Sequence, residues 1–269
     1  MTGTGGSARH PSRLLRGIGA HAVIHPDGYS DGAWVLSIGG AEQSHVDLAR
    51  PQEIFYEYLR RIGNVLDLAA PPGRPLRALH LGAGALTLAR YLQATRPGSE
   101  QHAVELEREL LDFVLAHLPL PEGTRLEPVI GDAREELERY APGAFDAVVL
   151  DIFAGADAPG HLTEPAYYAQ LLSLLSESGV LLVNVGDDPP LTFARAQVRA
   201  LQEAVESARP AAGVAALAER SMFSGRYPGN IVLAAAAAGW PEEWTGALLA
   251  AGPHPAAVLT GEELDRFAG

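Results

Sequence analysis

The chain of 269 residues contains no cysteine, and its 20 Lys and Arg are outnumbered by 33 Asp and Glu, for a net charge of -13. The first absence removes disulfides, thiolate zinc sites and cysteine nucleophiles, and makes the cytoplasm the expected setting. The shortage of positive charge disfavours nucleic acid as a partner, because phosphate binding needs a basic face. Long apolar runs are also missing. The most apolar stretch, Ile231 to Gly239, is short and Ala-rich and reads as a buried strand and its exit, so no membrane span is expected. Met1 to Ala8 is polar and rich in Gly, Ser and Thr, unlike a signal peptide. No Gly-x-Ser-x-Gly elbow and no Walker loop occur, which argues against acyl transfer by that route and against nucleoside triphosphate hydrolysis. The histidines are scattered, and no metal is expected. The acidic balance suits a cationic substrate such as a polyamine, or serves solubility alone.

Four segments are expected along the chain: a disordered tail over 1–12, a β-meander plus helix over 13–72, a nucleoside-binding domain over 73–238, and a helical tail over 239–269. Short apolar runs at His21–Ile24, Trp34–Ile38 and Ser44–Leu48, separated by Pro26-Asp27-Gly28 and Gly39-Gly40, predict a small antiparallel meander. Pro51 is read as opening a helix whose apolar stripe is Phe55, Leu59, Ile62 and Leu66. Pro71-Pro72-Gly73 breaks the chain. Strand patterns then alternate with helical ones, at Leu86–Thr95, Arg108–Leu118, Arg134–Tyr140, Glu164–Leu175 and Phe193–Ser207. Such alternation predicts a mostly parallel sheet covered on both faces, with ligands beyond the carboxyl ends of its strands. In the tail, Thr260 is a candidate N-cap for a short final helix.

The first strand of that region, Ala78-Leu79-His80-Leu81, runs into Gly82-Ala83-Gly84, and a second apolar segment ends at Glu105. Glycines let backbone approach a nucleoside, and a carboxylate about twenty residues on accepts hydrogen bonds from ribose hydroxyls. A dinucleotide fingerprint wants a third glycine where Thr87 stands, which moves the reading from NAD toward S-adenosylmethionine or a relative. The next two strands end in Gly131-Asp132-Ala133 and in Asp151, so three acids fall at successive strand ends and converge on one cleft. Asp132 also suits an N-cap, and Glu107 a first-turn helix acid. Asp151 opens an irregular loop and is placed to take a proton from an attacking amine; the open alternative is loop capping or a cofactor contact. His161 in that loop faces either substrate or solvent. Asp157 is read as solvated, and His80 as packed in the core.

These residues together resemble the spermidine synthases. Leu79-His80-Leu81-Gly82-Ala83-Gly84, Val104-Glu105-Leu106-Glu107, Gly131-Asp132-Ala133, Phe145 to Asp151 and Leu162 to Tyr168 occur in the order seen in that family. A meander ending in Gln43-Ser44 and a late Tyr227-Pro228-Gly229-Asn230 also match. The resemblance covers residues 20–236 and is strongest to the spermidine synthase-like proteins of actinobacteria. It implies a Rossmann-like, seven-stranded methyltransferase-type α/β sheet with a small β-rich N-terminal domain, assembled as a homodimer. It implies that Gln43 and Glu105 contact the ribose, Asp132 and Ala133 the adenine, and Gly82 and Gly84 the sulfonium side. Asp151 matches the catalytic aspartate, and Tyr56, Phe153, His161 and Tyr227 would face a small-molecule amine. The implied reaction moves an aminopropyl-type group from decarboxylated S-adenosylmethionine to that amine.

Departures from the family touch the amine side. Its Gly-Gly-Gly-Asp-Gly-Gly loop has Ala85 in place of the Asp, then Leu86 and Thr87. Its Asp-Ser-x-Asp-Pro run is here Asp151-Ile152-Phe153-Ala154-Gly155, and its Tyr-His-Glu or Tyr-Gln-Glu run is Tyr56-Glu57-Tyr58. A hydrogen bond to a charged group contributes roughly 1.5–3 kcal/mol, so losing two acids weakens a diamine site by several kcal/mol. Two alternatives stand beside aminopropyl transfer: a small-molecule methyltransferase using S-adenosylmethionine itself, favoured by loss of the acid at Ala85, and a non-catalytic nucleoside-binding protein.

Overall fold

A computed structural model describes residues 10–152 and 158–269. The candidate Phe153, Asp157 and the first nine residues of the expected tail lie outside these. The chain opens with strands β1 (Ser12–Leu15), β2 (Ala20–Pro26), β3 (Ala33–Ile38) and β4 (Ala41–Asp47), followed by helix α1 (Glu57–Leu68). It continues through β5 (Arg77–Leu81), α2 (Thr87–Thr95), β6 (Glu100–Glu105), α3 (Arg108–His117), β7 (Arg125–Ile130) and β8 (Phe145–Leu150). Then come α4 (Pro165–Ser173), β9 (Leu175–Asp187), α5 (Thr192–Ala208), β10 (Gly213–Glu219), β11 (Gly229–Ala236), α6 (Glu242–Ala251), β12 (Ala256–Thr260) and α7 (Gly261–Ala268).

The first four strands form an antiparallel meander in the order β1-β2-β3-β4. The rest build one mixed sheet in the order β12-β10-β11-β9-β8-β5-β6-β7. Its centre, from β9 through β7, is parallel, and β11 runs antiparallel between β9 and β10. The expected seven-stranded α/β sheet is present with an eighth strand added. Ala256-Ala257-Val258-Leu259-Thr260 pairs with β10 and covers what would have been an exposed edge. Five residues, mostly alanine, between proline breaks carry too little β-signal for this strand to be read from the sequence. Edge strand β7 carries Pro128, which lacks the N–H that a central strand would need.

Three apolar layers hold the molecule together. One face of the sheet packs on α4, α5 and α7 through Tyr167, Leu171, Val198, Leu201 and Phe267. The other packs on α1, α2 and α6 through Leu59, Ile62, Val65, Leu66, Leu92 and Leu248. A third layer joins the meander (Leu15, Ile24, Leu36, Val46) to α2 and α3 (Ala85, Ala89, Leu111, Val114). The meander therefore rests on α2 and α3, while α1 belongs to the packing of the main sheet.

Several expectations need correction. Helix α1 begins at Glu57, not at Pro51; Leu59, Ile62 and Leu66 are buried as a stripe, but Phe55 precedes the helix, is 64% exposed, and stacks on His45. The helix expected over Arg134–Tyr140 is a short 3-10 segment, Glu135–Arg139. Ser12, assigned to the disordered tail, begins β1. Thr260 does take the N-cap position of α7, without a capping hydrogen bond from its hydroxyl. Among the described residues no group of three His, Asp or Glu is placed to hold a metal, and no helix is long and apolar enough to cross a membrane.

Candidate active site

The carboxyl edge of the sheet orders the site. Reading across from β7, the strand ends present Asp132, Glu105, Gly82, Asp151, Asn184, Asn230 and Glu219. The antiparallel β11 contributes through its first residues, because its amino end lies at this same edge. Backbone bonds lock the central ends together: Gly82 N to Val104 O and Asp151 N to Leu81 O at 2.9 Å, and Gly131 N to Glu105 O at 3.1 Å. Above this edge is a cavity of about 850 Å³, within the size range of small-molecule sites.

Glu105 and the glycine loop form a single unit. Glu105 Oε2 accepts from Ala83 N at 3.1 Å and Oε1 from Glu107 N at 3.0 Å, so one carboxylate aligns both the loop and the start of α3. Gly82 has φ +90°, and a Cβ there would meet Asp151 O at 2.4 Å. Only glycine satisfies both the left-handed backbone and the close passage of the neighbouring strand end. The meander enters the same loop: Ser44 Oγ accepts from Ala85 N at 3.1 Å, and Thr87 Oγ1 donates to His45 O at 3.1 Å. A Cβ on Gly84 would fall 2.7 Å from Ser44 Oγ, so the second glycine admits the meander rather than a ligand atom. Leu86, where the family has glycine, keeps a left-handed φ of +59°. Strain of roughly 1–2 kcal/mol at a non-glycine residue there is offset by burying its side chain, worth about 1.5–3 kcal/mol, beneath the meander.

Asp132 follows β7 and precedes the 3-10 segment. Its Oδ1 accepts from Arg134 N at 2.8 Å and Glu135 N at 3.3 Å, as a cap does, while the residue lines the cavity. Its Oδ2 lies 2.9 Å from His161 Nε2. Burial pushes this carboxyl up, but the His161 and backbone donations outweigh it and hold it below the ordinary range. His161 thus sits against Asp132, at the β7 end of the edge. Gln43, Tyr56, Ala133 and Tyr227 line the cavity together with Gly82, Gly84, Glu105 and Asp151. His80 is buried beneath, with Nε2 2.9 Å from Gln101 Oε1, and burial lowers its pKa to about 4, so the ring is neutral at pH 7.

Asp151 sits at the centre of the edge. Asn184 Nδ2 donates to its Oδ1 at 2.8 Å and Tyr58 OH to its Oδ2 at 3.4 Å. Asn230 Nδ2 in turn donates to Asn184 Oδ1 at 2.9 Å, which fixes the orientation of the Asn184 amide. Burial raises the Asp151 carboxyl above its ordinary value, and the Asn184 and Tyr58 donations pull it partly back. Burial also raises the Tyr58 phenol, which stays a donor. The Tyr56 and Tyr58 rings stack with centroids 6.3 Å apart and planes 12° apart. Asn184, Asn230 and Tyr58 were not singled out as site residues from sequence. A polar residue inside the apolar run Leu181-Leu182-Val183-Asn184-Val185 was the available signal for the first.

No protein-family model matches the chain. A polyamine aminopropyltransferase of Chromobacterium violaceum is 27% identical over 143 residues, 53% of each chain, so the match spans about half the length of that relative. A probable spermidine synthase from Corynebacterium glutamicum superposes with a TM-score of 0.84 at 28% identity, over 98% of this chain and 95% of the other. Two more distant structures show the fold alone. A spermidine synthase in complex with the transition-state analogue AdoDATO has a TM-score of 0.62 at 15% identity, covering 88% of this chain and 75% of that one. Human methyltransferase-like protein 13 in complex with SAH has a TM-score of 0.50 at 18% identity, covering 78% and 88%. The chain is spermidine synthase-like, with the methyltransferase-type α/β fold.

Proposed function

We propose that the chain is a transferase of the S-adenosylmethionine type that moves an aminopropyl-type group from decarboxylated S-adenosylmethionine to a small-molecule amine, with Asp151 as the base. The observation that carries this reading is a buried carboxylate held by Asn184 and Tyr58, midway between two nucleoside-type acids and a second, differently lined half of the same cavity. The site fits such a donor: Glu105 and Asp132 are fixed by backbone N–H groups at the end where ribose and adenine would lie, with Gln43 beside them and Gly82 and Gly84 shaping the loop. The solved relatives with AdoDATO and with SAH support a donor of this class. When bound, the donor supplies a carbon made electrophilic by the adjacent sulfonium. The amine nitrogen forms a bond to that carbon as its bond to sulfur breaks, a thioether nucleoside leaves, and the amine proton passes to the Asp151 carboxylate. A protonated amine has no lone pair to attack with, so a base with a pKa raised toward the working pH is suited to the task. The chain otherwise contributes positioning. No metal takes part in this reading.

A second reading, methyl transfer from S-adenosylmethionine itself, is favoured by Ala85. Its side chain is buried in the layer beneath the meander, and it offers no carboxylate to the donor's amine. Titration calorimetry with S-adenosylmethionine, its decarboxylated form and methylthioadenosine separates the two. Preference for the decarboxylated form by about tenfold, or 1.4 kcal/mol, supports aminopropyl transfer; equal or tighter binding of S-adenosylmethionine supports methyl transfer. The reading carries with it a cytoplasmic homodimer, which sedimentation and cell fractionation test.

A further inference from the structure

The acceptor half holds a charge that the proposed reaction does not need. The chain contains no lysine. Among the described residues lining the cavity, Arg61 is the one permanent cation, against the carboxylates of Glu42, Glu57, Glu105, Asp132, Asp151 and Glu219. Arg61 follows Tyr58 by three residues on α1, about 4.5 Å along the helix axis and on the same side of it. Its side chain is only 5% exposed. Nη1 donates to Pro253 O at 2.9 Å and Nη2 to Glu57 Oε2 at 3.2 Å, while Asn64, one turn on, donates to Gly252 O at 2.7 Å. These bonds tie the helix to the turn before β12 and fix the position of the guanidinium. Its other N–H donors have no protein partner among the described residues. Glu219, at the end of β10, is held by the backbone N–H of Ser221 at 3.0 Å and by the Ser221 hydroxyl. Glu57 and Glu219 both interact electrostatically with Arg61, so the two acids that could hold an ammonium at this end already have an internal cation between them.

A linear diamine with one nitrogen at Asp151 extends its second ammonium away from the nucleoside half, into the region that Arg61 serves. We propose that Arg61 determines acceptor specificity: the protein supplies its own cation at the far end of the acceptor half, so the acceptor is a monoamine with an uncharged tail, not a diamine. Like charges brought together in a partly dry cavity oppose each other strongly, and a guanidinium cannot relieve this by losing its proton. The inference rests on the transferase reading for its reaction but not for its binding selectivity.

The test compares pentylamine with putrescine, which differ by a methyl in place of the second amine. With the preferred sulfonium donor, kcat/KM for pentylamine should exceed that for putrescine by about tenfold or more. Arg61→Met should shift that ratio toward putrescine by at least tenfold, whereas Arg61→Lys should keep the wild-type preference. Glu57→Gln, at an exposed partner of Arg61, should deepen discrimination against putrescine. A wild-type preference for putrescine, or a ratio unmoved by Arg61→Met, overturns the proposal. If neither amine yields product with either donor, the transferase reading has failed, and calorimetry on protein saturated with methylthioadenosine decides the selectivity separately. Pentylamine binding about tenfold tighter than putrescine upholds it; equal binding, tighter putrescine or binding of neither refutes it.

Discussion

The two halves of the cavity are built differently. The half proposed to hold the nucleoside, beyond β5, β6 and β7, is mostly local: Gly82, Glu105 and Asp132 lie within two residues of a strand end and the two acids accept from backbone N–H groups nearby or one strand over, while Ser44 and His161 come from farther along the chain. The acceptor half, beyond β8, β9, β11 and β10, is assembled from side chains far apart in sequence. Tyr58 and Asp151 are separated by 93 residues, Asn184 and Asp151 by 33, and Arg61 and Pro253 by 192. A local design conserves its geometry when the rest of the chain changes, whereas a nonlocal one shifts with any of several elements. On the proposed function, the more local half is the one whose residues resemble the spermidine synthase pattern, and the nonlocal half is the one that departs from it.

The comparison can be broken by mutation. The largest effect belongs to Asp151→Asn, which should lower turnover by about 10²–10⁴-fold while nucleoside binding stays within a few fold; steady-state kinetics with parallel calorimetry would show it, and full activity would remove Asp151 from the mechanism. Gly82→Ala strikes the seam between the halves. Its Cβ would lie 2.4 Å from Asp151 O at φ +90°, so we expect a loss of roughly 1–3 kcal/mol in stability and a fall in both nucleoside affinity and turnover, read by thermal unfolding and the same assays. Glu105→Gln is confined to the nucleoside half and should weaken nucleoside binding by about ten- to a hundredfold, leaving the pH profile in place.

The smallest effect tests the electrostatics of the acceptor half. A base at Asp151 acts only when ionised, so on the proposed function activity should fall as pH drops through its raised pKa, at a higher pH than for an ordinary carboxylate. Asn184 donates to the charged form, and Asn184→Ala should raise that pKa further and move the acid limb of kcat/KM upward by about one pH unit. Tyr58→Phe should act in the same direction but less, because its bond is longer at 3.4 Å against 2.8 Å. A limb that moves downward in either variant would contradict the assignment.

Much of this arrangement was legible in the chain. Strand-to-helix alternation, the Gly82–Gly84 loop and the acids ending three successive strands required only local periodicity and spacing, and the fold brings these residues to one edge. The features that are not legible there share a common cause. Strand β12 depends on a partner strand 37 to 45 residues earlier in sequence, Ser44 acts on a loop residue 41 positions later, and Arg61 looks like an ordinary helical surface residue until α1 is packed.

The sequence by itself determined the class of fold and the line of acids and glycines at strand ends, because backbone hydrogen bonding and hydrophobic periodicity act over a few residues and leave their period in the chain. Only the tertiary structure decided the environment of Asp151, the entry of the meander into the glycine loop and the burial of Arg61. Those depend on which side chains meet once β8, β9, β11 and α1 are stacked, and burial and electrostatic interaction are properties of that assembled neighbourhood rather than of any local stretch of residues.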